Sequence, residues 1–92
     1  PLRLQESSGF ILEAVNVVPL GEGKRALSQS YFSRQGKRVS VFITRSSVDA
    51  RRISGRQGPA LASIARTIGD LTVVLIGNVP QADLQKLADQ VN

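Results

Sequence analysis

The side chains with the most chemical potential in this 92-residue chain are its twelve lysines and arginines, set against seven carboxylates and no histidine or cysteine. That inventory excludes thiol catalysis, disulfide staples, histidine-based triads and the usual zinc sites. The acids Glu6, Glu13, Glu22, Asp49, Asp70, Asp83 and Asp89 form no close D-x-D pair. General acid–base work needs such groups converging in one pocket, and the spacing does not provide it. Ser28, Ser30 and Ser33 cluster, but no G-x-S-x-G or S-x-x-K pattern surrounds them, and they read as the solvent face of a strand. Gly21-Glu22-Gly23-Lys24 is a fragment of a phosphate-binding loop without its spacing or its Ser/Thr, so it reads as a hairpin turn. The expectation is a protein that is not an enzyme and takes no cofactor or metal.

The cations suggest binding instead. Between Lys24 and Arg66 there are ten basic residues and one acid, Asp49, whereas the flanking segments are mildly acidic. The formal charge of +5 therefore understates the asymmetry. The densest stretch, residues 45–58, mixes arginine with serine and glycine and reads as a surface loop, with room for a short helical turn capped by Ser47. Arginine offers a planar fork to carboxylate or phosphate. Lys37, Arg38, Arg45, Arg51, Arg52 and Arg56 are the candidate contacts for an acidic segment of a partner protein or an anionic lipid group. Nucleic acid fits less well. Few aromatics lie in strand-like segments, Tyr31, Phe32 and Phe42 among them, Phe42 reads as core, and no basic recognition helix is present.

Residues 9–18 are β-branched and aromatic and read as a strand that stops at Pro19, followed by the turn at residues 21–23. Residues 26–33 alternate moderately. Val39, Val41 and Ile43 alternate cleanly beyond a turn at Gly36, which gives an antiparallel hairpin. The apolar run of residues 71–76 suits a central strand and ends at Gly77-Asn78. Leu84, Leu87, Ala88 and Val91 recur at helical spacing behind Pro80, which suits a first helical turn, with Asp83 near the positive end of the dipole. Residues 59–68 satisfy both a helix rule and a strand alternation that puts Ile64, Arg66 and Ile68 on one face; the local pattern leans helical. Strands first and a helix last give an α+β fold: a small antiparallel β-sheet with a C-terminal amphipathic helix packed on one face.

Five motifs in order carry a resemblance. They are Gly9-Phe10-x-Leu12, Leu27-x-Gln29-Ser30-Tyr31-x-Ser33-x-x-Gly36, Val39-Ser40-Val41-Phe42-Ile43, Gly69-Asp70-x-x-Val73-Val74-x-Ile76, and Gly77-x-Val79-Pro80 before the last helix. Together they resemble the C-terminal domain of the RseB/MucB family, periplasmic regulators of the sigma-E type envelope stress response. Asn78 departs from that pattern, which has an acidic residue there, and Arg34-Gln35 replaces the aspartate of the turn. The resemblance implies that residues 63–68 form a strand paired with residues 71–76, against the local helical lean. It also implies a non-catalytic module that binds the periplasmic region of an anti-sigma factor, with lipid as a possible signal. A more distant similarity is to the extracytoplasmic domains of anti-sigma factors themselves, through Gly77-Asn78-Val79-Pro80-x-x-x-Leu84.

One domain spans residues 1–92, with residues 1–8 as a lead-in. A chain that opens on Pro1 and lacks methionine reads as a piece of a longer protein. It contains no apolar run near the roughly 18 residues of a membrane span and no signal peptide. A periplasmic or extracytoplasmic location is implied by the resemblance alone.

Overall fold

A computed structural model of the chain describes Leu4, residues 8–45 and residues 61–91. Among these, five strands and one helix follow in the order β1 (Ile11–Gly21), β2 (Lys24–Phe32), β3 (Arg38–Thr44), β4 (Ala62–Ile68), β5 (Leu71–Gly77) and α1 (Gln81–Gln90). The strands form one sheet in the spatial order β1-β2-β3-β5-β4, and every neighbouring pair is antiparallel. The expected α+β architecture is present.

Each hairpin has a local cause. Gly21 and Lys24 close a two-residue turn in which Glu22 and Gly23 both have positive φ, the backbone twist that matches flanking strands. Between β2 and β3, the Ser33 hydroxyl accepts the Lys37 N–H at 3.3 Å and the Ser33 N–H donates to the Lys37 carbonyl at 2.9 Å. Gly69 and Asp70 turn β4 into β5, with Ile68 opposite Leu71.

Residues 62–68 are a strand, as the resemblance implied. The helical periodicity of residues 59–68 loses because β5 needs a partner on its outer flank. Val73, Val74 and Leu75 are wholly buried, and a strand on each side satisfies their backbone groups.

The helix lies mainly over β4 and β5. Leu84, Leu87, Ala88 and Val91 join Tyr31, Val39, Val41, Val73 and Leu75 in the larger core cluster, so the helical stripe read from the sequence is the buried one. Pro80 sits one position before the helix, and its carbonyl accepts the N–H groups of Asp83 and Leu84. The last turn carries no basic residue of its own. Arg66, reaching up from β4, donates to the Ala88 carbonyl there and supplies the missing positive charge. Arg66→Met keeps the stem and removes that bond. It is expected to cost about 1–2 kcal/mol, seen as a lower urea midpoint at unchanged m-value; an unchanged midpoint would show that the cap does not stabilise the helix.

Two expectations are corrected. β1 does not stop at Pro19 but continues to Gly21, because an outer strand tolerates a residue without an N–H. Ser28 and Ser33 are buried and Ser30 is half-buried, so they do not mark a solvent face. For Ser28 and Ser30 the reason is a second cluster on the side of the sheet away from the helix: Leu20, Ala26, Phe42, Val74 and Ile76, with Val18 and Leu61 against it; Ser33 is instead enclosed in the β2–β3 turn by its bonds to Lys37. Within the lead-in, Leu4 reaches the core. Leu4 is only 4% exposed, its N–H donates to the Tyr31 hydroxyl at 3.1 Å, and that hydroxyl donates to Gln29 Oε1 at 2.7 Å.

Candidate functional site

Antiparallel folding separates residues that the linear sequence grouped. Lys37 and Arg38 lie where β3 begins, whereas Arg45 lies just past its end. Seven residues of extended chain put these two ends about 20 Å apart. Lys24 and Arg25, at the start of β2, share the Arg45 end because β2 runs antiparallel to β3. The candidates Arg51, Arg52 and Arg56, and the turn at Ser47, lie outside the described residues.

Arg38 is already engaged. Its guanidinium meets Glu13 Oε2 at 2.7 Å, with both side chains well exposed, so the pair adds little stability but does neutralise that cation. Its backbone is held as well: the Arg38 N–H donates to Asn78 Oδ1 at 2.8 Å, and the Asn78 N–H donates to the Arg38 carbonyl at 3.2 Å. An acceptor is all that this clamp asks of position 78, and the amide oxygen provides it.

Lys37 belongs to a different setting. It borders an open hollow of about 390 Å³ between the β2–β3 turn, the segment before β1, and α1. Phe10, Val79, Pro80 and Leu87 provide apolar surface; Ser8, Gln35, Lys37, Asp83, Lys86 and Gln90 provide the polar rim. Inside the protein fabric here, Gln90 Oε1 is buried without a hydrogen-bond partner. A second open hollow, of about 530 Å³, adjoins the same turn and is lined by Gly9, Ile11, Ser33, Arg34 and Gln35. Gln35 borders both.

Apolar surface flanked by the Lys37 and Lys86 ammonium groups, with the Asp83 carboxylate on the same rim, suits a ligand that brings some apolar surface and a carboxylate placed toward the two lysines. An acidic peptide segment has both. Sequence reasoning found Lys37 but missed Lys86 and Arg34. Lys86 lies outside the apolar stripe of α1, and nothing in the linear order brings it to the turn.

The carboxylates among the described residues do not converge. Glu22 and Asp70 occupy hairpin turns, Glu13 pairs with Arg38, and Asp89 accepts from Gln85 at 3.0 Å. Among the described residues no group of three or more Asp, Glu, His or Cys side chains is placed to hold a metal ion. No helix among them is long and apolar enough to cross a membrane. No family model matches the chain, and neither a curated protein nor a solved structure matches it.

Proposed function

We propose that this chain is a non-catalytic binding module that holds an acidic segment of a partner protein in the hollow between Lys37 and Lys86. The observation that carries the reading is that hollow's composition: apolar surface from Phe10, Val79, Pro80 and Leu87 with the two cations Lys37 and Lys86 on its rim. The resemblance to the RseB/MucB C-terminal domain supports a finer version, in which the module works in the periplasm within envelope stress signalling. Its partner is then the extracytoplasmic region of an anti-sigma factor. Residues 45–58 supply a second set of cations for the same partner.

Charge reversal tests it. Lys37→Glu combined with Lys86→Glu is expected to weaken binding of a labelled acidic segment from such an anti-sigma region by about tenfold and to flatten its salt dependence. Both side chains are exposed, so the fold is retained. Arg51→Glu, Arg52→Glu and Arg56→Glu together form the parallel variant. Loss in that variant alone would move the site to the loop; unchanged affinity in both would overturn the acidic-partner reading.

A further inference from the structure

The two outer strands of the sheet differ in how they are finished. Beside β4, the helix reaches down, with Gln81 Nε2 donating to the Ser63 carbonyl at 3.1 Å. Beyond β1 there is no further strand among the described residues. The large hydrophobic side chains left exposed there are all on β1 and its neighbour: Ile11, Leu12, Val15, Val17 and Leu27. Val15 is 51% and Val17 60% exposed, on a part of the sheet that α1 does not cover.

The backbone direction of β1 follows from its hairpin. Gly21 and Lys24 close the turn, so the Lys24 N–H and C=O face β1. Counting along β2 by twos, Ala26, Ser28 and Ser30 also face β1, opposite Val18, Asn16 and Ala14. Val15, Val17 and Pro19 therefore turn their backbone groups to the open edge. Pro19 fits there, since that position needs no donor to β2. Val15 and Val17 each turn an N–H and a C=O to that edge, with no strand pairing there among the described residues.

Natural outer strands are usually blunted by charge, proline or a bulge. Here those devices stand at either side of the middle: a register shift at Glu13, and Pro19 with a second shift at Leu20. Residues 14–18 carry no charge, keep regular register and are rich in valine. We propose that two copies of this chain pair antiparallel along residues 14–18 of β1, centred on Asn16, to make one sheet that runs through both.

A second copy suits this edge better than an unrelated strand because the segment is complementary to itself. About Asn16, Val15 of one copy lies opposite Val17 of the other, and these are the residues whose backbone groups face outward; four hydrogen bonds form. The valine side chains then meet on one face. No like charge is brought opposite its twin, although the chain as a whole carries +5, and Glu13 falls opposite Pro19. Five paired residues bury far less than the roughly 800 Å² per partner of a stable interface, so the dimer is weak and concentration-dependent. The pairing is independent of any acidic partner.

The absence of cysteine gives a clean test. In this register Asn16 faces its own twin as a non-hydrogen-bonded pair, about 4.5 Å between Cα atoms, within disulfide reach. Asn16→Cys is expected to cross-link under mild oxidation at least about tenfold faster than Ala14→Cys, whose twins lie four positions, about 13 Å, out of register. In sedimentation equilibrium the unaltered chain's average mass is expected to rise with concentration, while Val17→Lys, at an exposed position, stays monomeric. A monomer at every concentration would overturn the proposal, as would equal cross-linking of the two cysteine variants.

Discussion

Replacing Gly77 by alanine is expected to destabilise the domain by about 2–4 kcal/mol, combining overpacking with a disturbed backbone clamp. An added Cβ would meet the Arg38 carbonyl oxygen and Val39 Cγ2, each at 2.8 Å, closer than real Cβ contacts come. The cause is space, because Gly77 ends β5 directly opposite Val39 of β3. The carbonyl it would strike is the one that accepts the Asn78 N–H, so the two-way clamp between Arg38 and Asn78 must open for the strands to separate. For a chain of this length the loss corresponds to a fall in melting temperature of about 10–25 °C. Val39→Ala removes one of the two struck atoms, so in a double-mutant cycle the pair is expected to cost less than the sum of the single changes. A melting temperature at or above that of the unaltered chain would refute the steric account.

Leu84→Ala is expected to cost about 3 kcal/mol, within the range for a buried leucine that leaves a cavity behind. Leu84 is fully buried in the cluster that joins the helix to the sheet. Its neighbours cannot collapse easily into the space, since Val41, Val73 and Leu75 are held by strand pairing on both sides. Gln85→Ala, one residue away and exposed, is the control, and its effect should stay within about 0.5 kcal/mol. Similar midpoints for the two variants in urea would mean that the helix contributes little to the core.

Much of the fold was legible wherever one face of an element is buried and the other is wet. Val39, Val41 and Ile43 gave β3 by alternation, and Leu84, Leu87 and Ala88 gave α1 by helical spacing. Legibility failed where both faces are covered or where the partner is distant in sequence. Ser28 looked solvent-facing because small polar residues normally are, but Leu20 and Phe42 contribute to a second apolar layer on its side. Residues 59–68 satisfied a helix rule because local pattern cannot register that β5 needs a neighbour. Arg66 looked like one more member of a basic stretch, whereas it serves the far end of α1. The site suffered most. A run of positive charge in one dimension became two ends of a sheet in three, and Lys86 joined Lys37 only through the packing of the helix.

The position of β5 between β3 and β4 has a consequence for how the chain reaches this state. The pairs within β1–β2–β3 and within β4–β5 are between consecutive strands, and Ile68 and Leu71 are only three residues apart. Across the β3–β5 seam, Val39 meets Gly77 and Thr44 meets Thr72, joining parts of the chain that are far apart in sequence. Closing that seam must overcome the loop entropy that the hairpins avoid. The molecule thus divides into a three-stranded meander and a hairpin bearing the helix, joined by the β3–β5 seam and by the core cluster that α1 shares with Tyr31, Val39 and Val41. Pairing along that seam is therefore expected to be the slow step of folding, and the Arg38–Asn78 clamp fastens one end of it.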